Sequence, residues 1–190
     1  MAMVTMERIV MPPFPRSRMG PSGNIQLAEH AIALRPATQG DLPLLARLYA
    51  GSRSAELLLA PWSEEQKQAF LDDQFQLQHS HFVRRFPRGD FWIVCDASAT
   101  PIGRFYLDRS AREWRVVDIL LAPGTRGRGI GTILIRWAQT HAADVGADGI
   151  ALHVAINNPR AQALYTRLGF AAWASEDGLH IPMRWRIGEV

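Results

Sequence analysis

The chain has 190 residues, 47% hydrophobic and 21% charged, which suits one domain with a mostly buried core and is too short for two. Its apolar runs are too short to cross a bilayer, no continuous apolar segment marks a secretory signal, and the single cysteine, Cys95, excludes an internal disulfide and a cysteine-only metal site. The net charge is +3, but 20 arginines and one lysine are spread along the chain rather than gathered on one face, which argues against nucleic acid as the main partner. A cytoplasmic protein with neither membrane nor nucleic acid as partner is the expectation.

Residues 1–29 read as a flexible leader, because "MPPFPRSRMGPSG" carries four prolines and no helical or alternating period. Residues 30–190 form the domain. "AIALRPAT" alternates as a short strand ended by Pro36. Asp41 stands where it would N-cap a helix with Leu42, Leu45 and Leu48 on one face, and Gly51 would stop it. Ser63 with Gln66 spells a capping box for a second helix, with Phe70, Leu71, Phe75, Leu77 and Phe82 as its apolar stripe. Pro87 and Gly89 end it.

The period then switches to two. "DFWIVCD" and "PIGRFYLDR" predict a hairpin, and "EWRVVDILLAP" a third, more buried strand. A glycine- and arginine-rich loop leads into a helix with Ile130, Leu134, Trp137 and Ala138 on one side and Gly146 at its C′ position. "GIALHVAIN" is a strand, "NPRAQALYTRLG" a short helix stopped by Gly169, and "FAAWAS" and "LHIPMRWRI" two last strands. The order β-α-α-β-β-β-α-β-α-β-β is a mixed α/β (α+β) fold of seven strands. Its one strand–helix–strand crossover implies a parallel pair, 114–122 beside 149–156, with a ligand at the carboxyl ends of these strands.

That is where "ILLAPGTRGRGIGTILIRWAQ" lies. Glycines 127, 129 and 131 before a helix free backbone N–H groups to face a ligand, and the helix start adds about half a positive charge. Arg126 and Arg128 strengthen the field. A plain glycine turn is the bland alternative. A Walker A loop is excluded, since the only lysine is the distant Lys67. A dinucleotide fingerprint is weak, because Thr132 occupies the third glycine position and no acidic residue ends the next strand.

"RGRGIG" resembles the Arg/Gln-x-x-Gly-x-Gly/Ala loop of the GNAT acetyltransferase superfamily. A second segment, "LHVAINNPRAQALYTRLGF", is similar to that family's Asn-x-x-Ala-x-x-x-Tyr-x-x-x-Gly-Phe stretch at Asn158, Ala161, Tyr165, Gly169 and Phe170. The resemblance extends over about Ile32 to Ile187. It implies a mostly antiparallel sheet with helices on both faces and one central parallel pair. It also implies an N-acetyltransferase with acetyl-CoA as cosubstrate and no metal.

Carried over by resemblance, Arg126, Gly127, Arg128, Gly129, Ile130, Gly131 and Thr132 would supply N–H donors to the pyrophosphate. The backbone of Ile119, Leu120 and Leu121 would pair with the pantetheine arm. Asn158, with Ala161, would hold the arm or the loop, and Tyr165 would face the thioester sulfur. An amine attacks the acetyl carbonyl, an N–H near Leu120 polarises it, and Tyr165 protonates the departing thiolate. Cys95 reads as a core residue.

Asp118 interrupts an apolar strand and has three readings: substrate contact, base, or a satisfied structural carboxylate. His153 stands where some protein-acetylating members carry a glutamate, so it reads either as a replacement base or, more ordinarily, as a core histidine. Trp62, Gln74 and Gln78 are candidates for the acceptor pocket, the two glutamines sharing a helix face, with a solvated face as the alternative. The acceptor is a small-molecule or protein amine, and a homodimer through exposed C-terminal strand edges is a further expectation. A non-catalytic CoA-binding or interaction module and a dinucleotide oxidoreductase stay open at this point.

Overall fold

In the computed structural model of the chain, which describes residues 11–16, 24–27, 31–174 and 178–188, eight strands form one sheet in the order β1-β2-β3-β4-β5-β6-β8-β7. They are β1 (Ile25–Leu27), β2 (Ile32–Pro36), β3 (Asp90–Cys95), β4 (Pro101–Asp108), β5 (Glu113–Leu121), β6 (Gly149–Ala155), β7 (Ala171–Ala172) and β8 (His180–Arg186). Every neighbouring pair is antiparallel except β5 with β6. The eighth strand, β1, comes from the segment read as a leader. Residues 11–16 of that segment also lie on the domain, where Phe14 packs against His79 and Phe91. Residues 1–10, 17–23 and 28–29 of the leader fall outside the described residues.

Helices cover both faces. On one, α3 (Ile130–Asp144) sends Leu134, Ile135, Ala138 and Ala142 into the large core, joined by Tyr165 of α4 (Pro159–Arg167). On the other, α1 (Leu42–Arg53) and α2 (Glu64–Arg85) close two smaller clusters around Leu45, Phe75, Ile93 and Cys95, and around Val83, Phe91 and Tyr106. Cys95 is a core residue, as expected.

The Ser63 capping box forms in full: Ser63 Oγ accepts from Gln66 N at 3.2 Å, and Gln66 Oε1 accepts from Ser63 N at 2.9 Å. Three local expectations are corrected. Asp41 does hold the N-cap position of α1, but its side chain makes no capping bond to that helix. It closes a short turn started by Thr38, whose N and Oγ1 donate to it, and takes both arms of Arg35 at 2.9 and 2.6 Å. Gly51 does not stop α1, which runs to Arg53; burying Leu45, Leu48 and Tyr49 outweighs a glycine penalty of about 1 kcal/mol. The buried stripe of α2 is Leu71, Phe75, His79 and Val83, an i, i+4 ladder, while Phe70 and Leu77 are exposed. A histidine in that ladder hid its period.

Candidate active site

Strands β5 and β6 pair over three residues only, from Glu113 opposite Gly149 to Arg115 opposite Ala151. Beyond that point β6 continues beside β8, and among the described residues no strand pairs with the β6-facing side of residues 116–121. The register between β4 and β5 carries a bulge there: Leu107 opposes Val116 and Tyr106 opposes Asp118, so Val117 is the extra residue. The bulge reverses the strand's alternation. Trp114 and Val116 face the large core before it, and Ile119 and Leu121 after it. Leu120 packs on the α1–α2 side. Strict alternation would have driven Asp118 into the large core; the extra residue turns it toward α2 instead.

Asp118 is therefore not an isolated carboxylate. Its Oδ2 accepts from Nε of Arg104 at 2.6 Å, and Nη2 of Arg104 donates to Oε1 of Gln78 at 2.6 Å. Arg104 is 2% exposed, with its guanidinium 5.3 Å from the Tyr106 ring and 5.9 Å from that of Phe82. Of the Asp118 readings, the satisfied carboxylate describes Oδ2. Arg104 is not among the candidates the motifs single out, although a charge amid "IGRFYL" is the same signal that singles out Asp118 on the adjacent strand.

The loop after β5 begins as a short turn, Pro123–Thr125, in which Thr125 Oγ1 donates to Ala122 O at 2.8 Å. Arg126 folds back, its Nε donating to Leu121 O at 3.0 Å, while Arg128 is exposed. Gly127 and Gly129 hold φ of +77° and +81°, a region that penalises any side chain. Gly129 is the N-cap of α3 and offers no side-chain cap, so the first N–H groups of the helix await an acceptor from elsewhere. A Cβ on either glycine would meet no atom within 4 Å, whereas one on Gly131 would come within 3.1 Å of Leu164 Cδ2. Gly131 thus serves the contact of α3 with α4. Ile130 is buried in the core and Thr132 is half-buried, so both face the loop through backbone alone or in part.

On α4, Asn158 is the N-cap, Oδ1 accepting from Ala161 N at 3.2 Å, and Ala161 packs against the large core. Tyr165, one helical turn further on, is buried with its ring 5.7 Å from that of Phe170. Burial pushes its hydroxyl up to about 12, and the negative charge of Asp118 adds to the shift. Tyr165 is thus protonated at neutral pH and lies within electrostatic reach of Asp118.

His153 is not a core histidine. Alternation along β6 buries Leu152 and Val154 and turns His153 outward, where Nδ1 lies 3.1 Å from Nη1 of Arg115. Arginine only donates, so Nδ1 is the acceptor there and its lone pair is engaged. The three acceptor candidates do not meet in one pocket. Trp62 precedes α2 and meets Phe70 edge-on with ring centroids 5.3 Å apart, whereas Gln78 lies roughly 20 Å further along the helix axis. Gln74 lines a cleft of about 130 Å³ with Tyr49, Arg53, Glu56 and Phe70. Gln78, one turn on, is committed to Arg104.

Strands β5 and β6 thus part ahead of a helix start that has no side-chain cap, and Tyr165 lies close enough to Asp118 to feel its charge. Residues 52–170 match the acetyltransferase (GNAT) family, and the chain belongs to it. It is an N-acetyltransferase with acetyl-CoA as its cosubstrate. The chain is 30% identical to the spermidine N(1)-acetyltransferase of Vibrio cholerae over 73% of its own length and 78% of that protein's. A peptidyl-lysine N-acetyltransferase of Salmonella typhimurium is 27% identical over 60% of this chain and 75% of its own. Among solved structures, the PaiA N-acetyltransferase of Thermoplasma acidophilum in complex with coenzyme A shares the fold. Its TM-score is 0.62 at 20% identity, over 82% of this chain and 98% of that one. No helix among the described residues is long and apolar enough to cross a membrane.

Proposed function

We propose that the protein acetylates a primary amine by direct attack on acetyl-CoA in a ternary complex, at the cleft where β5 leaves β6. The observation that carries this reading is the meeting of that cleft with the helix start at Gly129. The exposed backbone of Ile119, Leu120 and Leu121 takes the pantetheine arm as an added strand, and the N–H groups from Gly127 to Thr132 take the pyrophosphate. Arg128 adds positive charge at the rim. Arg126, folded onto Leu121 O, shapes the loop.

Tyr165 stands beside the strand end and supplies the proton to the departing thiolate. An N–H near Leu120 polarises the acetyl carbonyl. Asp118, with Oδ2 given to Arg104, presents Oδ1 to the incoming ammonium and anchors it, and the proton leaves through water at the open mouth. Asn158 holds α4, and with it Tyr165, by its capping bond. A primary amine as acceptor is supported by the relatives named for spermidine and peptidyl-lysine, both of which offer one.

Initial rates measured while both substrates vary test the reading. Intersecting double-reciprocal lines are expected from a ternary complex; parallel lines would point to a covalent acetyl-enzyme and overturn it. For assembly we propose a homodimer through the sheet edge at β7, which pairs with β8 on one side only. Light scattering that gives a monomer mass would remove that proposal. A cytoplasmic location completes the reading, since the donor has to be at hand.

A further inference from the structure

We propose that Arg104 is the positioning residue of the transfer, fixing Asp118 at the mouth of the parted strands and tying α2 to it through Gln78. This rests on the acetyl-transfer reading above. A guanidinium that is 2% exposed has given up its water and persists only where every arm finds a partner. Here one edge of the planar group is divided between two elements: Nε to Asp118 on β5 and Nη2 to Gln78 on α2, each at 2.6 Å. The rings of Tyr106 and Phe82 hold its plane. Arginine carries this geometry and lysine does not, because an ammonium has no rigid fork with which to meet two acceptors at fixed angles.

The consequence lies at Asp118. The bulge at Val117 gives the Asp118 side chain its direction, and the Arg104 bond takes Oδ2 and fixes its rotation, so that in this reading Oδ1 is the oxygen left for the acceptor nitrogen. Gln78 sits one helical turn from Gln74, which lines the cleft beside Tyr49 and Phe70. An acceptor body seated against α2 is thereby registered, through Gln78 and Arg104, to the carboxylate that orients its amine. Arg104 touches no reacting atom; it acts through Asp118.

Action through another residue predicts a kinetic signature that a merely structural role lacks. Arg104→Lys is expected to lower kcat about 10- to 100-fold, the cost of a misplaced reacting group, with the KM for acetyl-CoA unchanged. Introduced into Asp118→Asn, the same substitution is expected to lower kcat no further. Should Arg104→Lys fail to fold, Gln78→Ala on the half-buried face of α2 offers the same cycle with a smaller loss. An Arg104→Lys enzyme with wild-type kcat, or an equal loss in both backgrounds, would overturn the inference. Wild-type protein that fails to bind CoA in calorimetry would instead strike the proposed function itself.

Discussion

The charge of Asp118 reaches the Tyr165 hydroxyl, and together with burial it holds that phenol in its neutral form until about pH 12. A phenol this reluctant to ionise keeps its proton while the site is empty. In the proposed mechanism it therefore acts as a proton donor and not as a base, passing the proton to the sulfur as its bond to the acetyl carbon breaks.

Alkaline titration tests the ionisation directly. Tyr165 is raised to about 12 from an ordinary 10.0, and Tyr106, buried against Arg104, is also raised. The folded protein therefore binds the Tyr165 proton more tightly than the unfolded chain. The corresponding stability is intact below pH 10 and is lost as pH rises toward 12. The phenolate absorbance of wild type minus that of Tyr165→Phe should show one step near pH 12; a step near 10 would contradict the burial assigned to Tyr165.

Gly129→Asp should weaken CoA binding while leaving the fold intact. The substitution forces a side chain into a φ of +81° and sets a carboxylate where the pyrophosphate is proposed to bind. Like-charge repulsion at close range costs about 1–4 kcal/mol, or roughly 5- to 1000-fold in Kd. Calorimetric titration with CoA measures it, and circular dichroism checks the fold. Unchanged affinity would move the pyrophosphate elsewhere.

His79 fastens residues 11–16 to α2, its Nε2 donating to Pro12 O at 2.7 Å with Phe14 edge-on at 4.8 Å. Burial holds His79 below its ordinary 6.5, with the positive charge of Arg104 adding and the Pro12 bond opposing. The folded state resists protonation, so the stability this group carries is present above pH 6.5 and is lost as pH falls through its lowered value. The fall in Tm between pH 7.5 and 5.5 should shrink in His79→Gln. Deleting residues 1–16 should cost about 1–3 kcal/mol, the order of one partly buried aromatic, read by urea unfolding.

Gly51→Ala should stabilise the protein. The helix runs through this exposed position, and an added Cβ meets nothing within 4 Å. A gain of about 0.4–1 kcal/mol follows from the narrower unfolded ensemble, which moves Tm upward by about 1–4 °C. A lower Tm would mean that α1 ends before Gly51.

Much of this architecture is legible in the residues, and the exceptions have physical causes. Ser63 with Gln66, the hairpin of β3 and β4, and the stops at Gly146 and Gly169 are local signals, so they read correctly. Asp41 stands at the N-cap as read but gives its carboxylate to Arg35 and Thr38, and Gly51 misleads because a local preference worth about 1 kcal/mol yields to a buried helix face. The stripe of α2 was misread because its third member, His79, is polar by type yet buried. At the site, the glycine loop and Tyr165 are visible as motifs. The bulge at Val117 is not, since it arises from the register of β5 on β4, where Tyr106 opposes Asp118 and Leu107 opposes Val116. That single extra residue decides which way Asp118 points. His153 needed the β6–β8 register to be placed outside the core, and Trp62 the length of α2 to be separated from Gln78.

The most direct test of the acetyl-transfer reading is amine-dependent release of CoA from acetyl-CoA, compared between wild type and Tyr165→Phe. Wild type should release CoA in proportion to added primary amine. Tyr165→Phe, which keeps the ring against Phe170 and loses only the hydroxyl, should bind CoA normally and turn over about 100-fold more slowly, the worth of one general acid. Equal rates in the two proteins would contradict the role given to Tyr165, and no release with any primary amine would contradict acetyl transfer at this cleft.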